Sequence, residues 1–423
     1  MSYTETIIRG LIGVVALLFF CYLCSSNKKA INWSIVVKGL LIQLGFAICI
    51  LHISIIEKLF QGISNTFLSI LDFTKEGSMF LFGETLVNNP SFGAIFAFQI
   101  LPTIVFFSAL TSVLFYLGIL QKIVYFFAII MKKSMKLSGS ESLAAAGNIF
   151  LGQTESPLLI KPYISKMTQS ELLCLMGGGM ATIAGGVFIA FTAMLGEEFA
   201  PHLLAASVMS APAAIVACKI ILPETKKVNK KMKLAEGESL GSNVFDSIAL
   251  GTIQGVKLAV NVGAMILVFV AFIALINEIL NLIGQYTGFN EALLHSKSIY
   301  TNLSLEMIFG YLFAPIAWLI GIPFEDILLA GQLLGEKTVA NEFIAYESLG
   351  EMIKQSSISK KTSIMATYFL CGFANFLSIG IQIGGIGAIA PERRTDLSRL
   401  GIKALIAGTV ASLLTAIIVG ILI

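Results

Sequence analysis

Charge is what this chain has least of. Of its 423 residues only 13% are Asp, Glu, Lys or Arg, against 56% that are hydrophobic. Soluble domains carry about 25% charged and about 45–50% apolar residues. A soluble protein needs far more charge to coat its surface, so that class is excluded. The few charges nearly cancel, at net +3, and no basic stripe with interleaved aromatics occurs, which argues against nucleic acid as a partner. Histidine is scarcer still. His52, His202 and His295 fall near helix ends or loops and show no ligand spacing. All six cysteines lie in apolar runs. Cys21 and Cys24 have CxxC spacing, but inside a spanning segment without a nearby His, so they read as small packing residues and imply no disulfide framework. No HExxH is present and no Ser or Cys is marked by a nucleophile motif, so an intramembrane enzyme has no constellation to stand on.

Long hydrophobic runs are there instead. Eight are long enough to cross about 30 Å of hydrocarbon: residues 7–24, 35–55, 100–130, 172–195, 203–222, 259–283, 364–389 and 404–423. The third is long enough to be tilted or flanked by a surface segment. These runs predict an all-α polytopic membrane protein of about eight transmembrane helices. The first run lacks a basic region beyond Arg9 and a small-residue cleavage site, so it reads as a span rather than a signal peptide. Two further segments, 57–82 and 303–319, read as interfacial helices. The lysine-rich tract 223–242 reads as a solvated cytoplasmic loop.

Orientation follows from the basic loops. Lys28 and Lys29, then Lys132, Lys133 and Lys136, then Lys226, Lys227, Lys230, Lys231 and Lys233, and finally Arg393, Arg394 and Arg399 fall on one side if eight helices alternate. Both termini are then extracytoplasmic. Lys360 and Lys361 contradict the pattern.

Two glutamates mark the interior. Glu155 lies in Asn148-Ile149-Phe150-Leu151-Gly152-Gln153-Thr154-Glu155-Ser156-Pro157, and Glu342 in Lys337-Thr338-Val339-Ala340-Asn341-Glu342-Phe343. A carboxylate at the centre of a bilayer costs about 2.5 kcal/mol or more on insertion scales, so each is a functional-site candidate. The stretches 140–166 and 323–346 are apolar on both sides of a polar or Gly-marked centre. That pattern predicts two re-entrant hairpins, whose non-helical tips are tolerated only if buried in protein or lining a cavity. Each is followed by a span that is dense in Gly or small residues, Gly177 to Val187 and Cys371 to Gly380. Such glycine density permits unwinding, and close helix packing is the competing explanation. The order decides: hairpin, Gly-broken span and plain span occur at 140–222 and again at 323–423, an inverted repeat of the kind that builds transporter sites.

At these clusters the sequence resembles a known family. Gly152-Gln153-Thr154-Glu155-Ser156-Pro157-Leu158 is similar to the first-hairpin signature of the concentrative nucleoside transporters. Val339-Ala340-Asn341-Glu342-Phe343 is similar to their second-hairpin signature, and Cys371-Gly372-Phe373-Ala374-Asn375-Phe376-Leu377-Ser378 to the core of their seventh helix. The likeness runs from Ser25 to Arg394 and matches the bacterial eight-helix form. It implies a homotrimer in the bacterial inner membrane that takes up nucleosides with a cation by an elevator-like movement. The scaffold would comprise 1–136 and 223–300, and the moving transport part 137–222 and 301–423.

The resemblance also assigns a site. Gln153, Thr154 and Glu155 would face the base, with Val187 packed against it. Glu342, Asn375 and Ser378 would hold the ribose, with Phe373 as an apolar wall. A carboxylate suits ribose hydroxyls because it only accepts hydrogen bonds. Sodium would be held by Asn148, Leu151, Thr182 and Ile183. Three alternatives stay open at this point: an ion pair of Glu342 with Lys337, one of Glu155 with Lys161, and proton coupling in place of sodium with Glu155 or Glu342 as carrier.

Overall fold

The computed structural model describes residues 3–88, 95–229, 241–296 and 298–423. Lys230, Lys231, Lys233, Glu236 and Glu238 of the predicted cytoplasmic loop lie outside them. Among the described residues the chain is helical and contains no strand, one of the few ways a chain can satisfy its backbone within lipid.

Helices α1 (Tyr3–Leu23), α2 (Trp33–His52) and α3 (Ser54–Phe82) come first. Two short helices, α4 (Glu84–Asn88) and α5 (Phe96–Gln99), lead into α6 (Leu101–Tyr116) and α7 (Ile119–Met135). The run 100–130 is therefore two helices, not one. Gly118, at φ +75°, makes the turn between them, a backbone conformation glycine takes without steric cost. In α7 the buried residues Leu120, Val124, Ala128, Met131 and Met135 recur at three- and four-residue spacing, the pattern of a helix with one face on protein.

Next come α8 (Gly139–Phe150), α9 (Ser156–Leu159) and α10 (Lys161–Ile164), which form hairpin 1. The fourth span is broken into α11 (Gln169–Ala181) and α12 (Gly185–Leu195), and α13 (Ala200–Ile221) follows. The sixth, α14 (Val244–Tyr286), has 43 residues, about 65 Å at 1.5 Å per residue. It is far longer than the run 259–283. Asn243 starts it, accepting a hydrogen bond from Asp246 N at 2.9 Å. After α15 (Phe289–Leu294) comes α16 (Leu305–Leu319), whose Gly310 face packs on the first arm of hairpin 2. Hairpin 2 consists of α17 (Ile327–Val339) and α18 (Glu342–Lys354); the seventh span is broken into α19 (Lys360–Leu370) and α20 (Phe376–Ile389), and α21 (Arg394–Leu422) ends the chain. Among the described residues seven helical stretches are long and apolar enough to cross a membrane. The eighth crossing is α19 with α20, each too short alone.

The two hairpins enter from opposite faces. At the foot of hairpin 1 Gly139 N bonds Asn229 O at 3.0 Å, and the Arg393 guanidinium donates to Met167 O at 2.8 Å. Ser26 N reaches Ile221 O at 2.9 Å on the same face. This face gathers the described parts of the four basic loops. At the foot of hairpin 2 Asp326 accepts from Ser359 Oγ and Thr362 Oγ1, both at 2.5 Å. The Arg9 guanidinium donates there to Trp318 O at 2.6 Å and Ile322 O at 2.8 Å. Lys360 and Lys361 begin α19 on this second face, so the exception to the charge pattern is real.

Burial separates two parts. The broken fourth span and α13 are each 89% buried over their most apolar stretch, and α14 only 6%. So the first two sit in the core, while α14 lies at the periphery against α6. There an added Cβ on Gly251 or Gly255 would come within 2.7 Å of Ala109 Cα or Val105 Cα. Glycine is what lets these backbones approach.

Candidate functional site

Each tip forms because the local sequence stops a helix. Leu151 is extended (φ −106°, ψ 152°) and ends α8. Glu155 N then bonds Gly152 O at 3.0 Å, while the Glu155 carboxylate accepts from Gly152 N at 3.2 Å. Pro157 opens α9, where its missing N–H costs nothing. In hairpin 2 Asn341 caps α18, accepting from Ile344 N at 3.1 Å. The broken spans stop in similar ways. Thr182 is extended after α11. Gly372 has φ +110°, and its α-carbon lies against Met180 and Ala181 backbone, so no other residue is accommodated there without strain. Asn375 caps α20 by accepting from Ser378 N at 2.8 Å.

These ends meet between the two halves. The Gln153 amide donates to Ser378 Oγ at 3.1 Å. The Asn375 amide donates to Glu342 Oε2 at 2.6 Å. Val187 is buried in the first turn of α12, and Phe373 is half-buried at the break of the seventh span. Helix N-termini of α12, α18 and α20 lie here, and their positive ends favour an electron-rich ligand.

Two residues expected beside Gln153 stand apart from this network. Thr154 is exposed, and its methyl lies where a Cβ on Gly385 would meet it at 3.0 Å. Glu155 is half-buried and turned toward α6 and α14, in a crevice lined by Ser108, Thr111, Ser112, Phe115 and Gln254. The Lys337 ammonium does not pair with Glu342. It donates to Phe369 O at 2.7 Å and Ser412 Oγ at 3.2 Å.

Asn148, Leu151, Thr182 and Ile183 are all buried. The Asn148 amide donates to Leu175 O at 3.2 Å, and Thr182 Oγ1 donates to Gly178 O at 2.9 Å. Gly178 thus joins them: a Cβ added to it would meet the Asn148 amide nitrogen at 2.7 Å. Gly152 at the tip abuts Ala184, at 3.2 Å from an added Cβ, which lays residue 151 alongside the break at 182–184. Asn148 Oδ1 is buried without a hydrogen-bond partner. An orphaned acceptor beside a helix C-terminus, among hydroxyl and carbonyl oxygens, fits a small hard cation.

Gln382 was not anticipated. It is fully buried and donates to Gln153 Oε1 at 3.0 Å and Met176 O at 2.9 Å. The available signal was its position four residues after Ser378, on the same face of α20.

Comparison with known proteins agrees with this geometry. Residues 202–420 match the family described as Na+ dependent nucleoside transporter C-terminus, and residues 12–85 its N-terminus. Residues 97–198 match a gate domain described as nucleoside recognition. The chain belongs to the Na+-dependent nucleoside transporter family. It is 41% identical to an uncharacterized transporter of Haemophilus influenzae, over 99% of this chain and 98% of that one. It is 37% identical to sodium/nucleoside cotransporter 1 of Mus musculus, over 97% of this chain and 63% of the longer mouse protein. The fold matches CNTnw in an inward-facing substrate-bound state with a TM-score of 0.90 at 36% identity, covering 98% of this chain and 97% of that one. This nucleoside transporter family moves its substrate across a membrane without transforming it, and its coupling ion is sodium.

Proposed function

We propose that this chain imports uridine-like nucleosides together with sodium, in the bacterial inner membrane, as a homotrimer working by elevator-type alternating access. The observation that carries this reading is the meeting of tips from opposite faces, through Gln153 with Ser378 and Glu342 with Asn375. A nucleoside presents ribose hydroxyl donors at one end and an amide-like base edge at the other. Glu342 accepts from the ribose hydroxyls, and Asn375 and Ser378 complete that end. Gln153 offers the base a donor and an acceptor side by side, Glu155 extends this edge toward α6 and Thr154 toward α20, Val187 packs on the ring, and Phe373 walls the pocket. Gln382 is a positioning residue that holds the Gln153 amide.

Sodium is a co-substrate, taken by Asn148, Thr182 and the backbone oxygens of Leu151 and Ile183. Its site lies between hairpin 1 and α11, next to Gln153, so filling it favours the arrangement that binds nucleoside. The moving part is 137–222 with 301–423, carried against a scaffold of 1–136 with 223–300. The buried core of α11 to α13 and the peripheral α14 support that division. Exposed Leu267, Phe272 and Leu275 give α14 an apolar outer face, which suits lipid and neighbouring protomers.

Uptake of labelled uridine into proteoliposomes tests the reading. An inward sodium gradient should drive accumulation above the external concentration, and choline should not. Stimulation by an inward proton gradient alone moves coupling to Glu155 or Glu342. No stimulation by either ion removes coupling altogether.

A further inference from the structure

The halves differ in what faces the open end of their broken span. A helix leaves its last four carbonyls without intrahelical partners, and that end carries partial negative charge. In the first half α11 ends at Ala181. Hairpin 1 brings to its last turns the Asn148 amide, a neutral group that donates to Leu175 O, six residues before that end, and whose Oδ1 is left unpartnered. In the second half α19 ends at Leu370, and hairpin 2 offers it a cation. Lys337, on the arm that precedes the tip, is 2% exposed. Its ammonium donates to Phe369 O at 2.7 Å and to Ser412 Oγ at 3.2 Å. Tyr346, from the other arm, donates its hydroxyl to Thr367 O at 2.9 Å.

An ammonium buried at this depth costs several kcal/mol unless compensated. Among the described residues no carboxylate is in contact with it, so the helix end and Ser412 supply its direct partners, with Glu342 a more distant counter-charge. Asn148 and Lys337 also occupy related places. Each lies on the first arm of its hairpin, seven residues before Glu155 and five before Glu342, and each bonds a carbonyl in the first half of the following broken span.

We propose that Lys337 is a tethered cation, doing permanently for hairpin 2 and α19 what sodium does for hairpin 1 and α11 while bound. Hairpin 2 is then fastened to its broken helix by a charge that never leaves, whereas hairpin 1 depends on an ion from solution. This rests on the sodium reading of the Asn148 and Thr182 cluster.

Three substitutions test it by uptake in proteoliposomes and by thermal unfolding of purified protein in sodium and in choline. Lys337→Ala leaves a space walled by Phe369 O and Ser412 Oγ that sodium enters. Its sodium activation should rise from a Hill coefficient of about one to about two, with a sodium-induced rise in Tm about twice the parent's or more. Lys337→Met fills the space without charge and should lose uptake by about tenfold or more. Lys337→Arg keeps the charge and should retain uptake within about threefold of the parent. The proposal is overturned if Lys337→Ala responds to sodium as the parent does in both assays, or unfolds alike in both salts. It is overturned equally if Lys337→Met transports like the parent. A parent with no sodium response sinks the proposed coupling instead. That failure is told apart because Lys337→Arg then still exceeds Lys337→Met.

Discussion

Hairpins 1 and 2 follow one plan from opposite faces, yet they place their buried lysines at opposite ends. At the foot of hairpin 1 Lys219 of α13, 4% exposed, pairs with Glu141 of α8 and donates to Ser170 Oγ at 2.9 Å. Ser140 Oγ donates to Glu171 at 3.0 Å, and Thr168 Oγ1 to Glu224 at 2.5 Å. This buried network ties α8, α11 and α13 together where the hairpin leaves the membrane. At the foot of hairpin 2 Asp326 takes hydrogen bonds from Ser359 and Thr362, all neutral donors. The buried lysine of that half is Lys337, close to the tip. One hairpin is locked at its base and, in the proposed reading, takes an ion from solution at its deep end. The other is locked near its tip. An inverted repeat therefore conserves backbone layout while letting the two halves differ in where they are anchored.

The comparison breaks most severely at the foot of hairpin 1. Lys219→Met leaves Glu141 buried without its partner, which should destabilise the protein by about 3–5 kcal/mol. Thermal unfolding should show a large loss, partly recovered when Glu141→Gln is added; an unchanged Tm contradicts a role for this pair. Next in size is the tip of hairpin 2. Glu342→Gln removes a charged hydrogen bond of about 1.5–3 kcal/mol, so uridine uptake should fall by about two decades while expression stays intact. Normal uptake excludes Glu342 from the ribose end. The smallest effect sharpens the link between the halves. Gln382→Leu strips the Gln153 amide of one partner and should weaken uridine binding by about tenfold. It should leave the sodium response of the Tm in place, because Gln382 lies outside the cluster at Asn148. Loss of that response makes Gln382 part of the ion site instead.

Much of this architecture was legible in the residues. Run length exposed eight crossings, and two carboxylates amid apolar sequence exposed both hairpins. Where hydropathy and helix propensity disagree, the reading went astray. Asp246, Gln254 and Lys257 interrupt the apolar run but not the helix, so α14 begins at Val244 rather than near 259. Gly118 splits a run that hydropathy reads as continuous. The direction of side chains was harder still. Lys337 stands five residues from Glu342, and sequence proximity left a pair open as an alternative, but the tip turns between them and the ammonium reaches α19. Glu155 shares its motif with Gln153 but faces α6, because the turn at 152–155 bends its carboxylate back on Gly152 N. Gln382 carried no motif at all.

The account rests on one pocket that two inverted halves share with a neighbouring sodium. Equilibrium binding of uridine to the purified protein, in sodium and in choline, for the parent and for Asn148→Leu, tests it most directly. Sodium should tighten binding to the parent by about tenfold or more, and Asn148→Leu should erase the difference between the salts. Equal uridine affinity in both salts for the parent, or an undiminished sodium effect in Asn148→Leu, would contradict it.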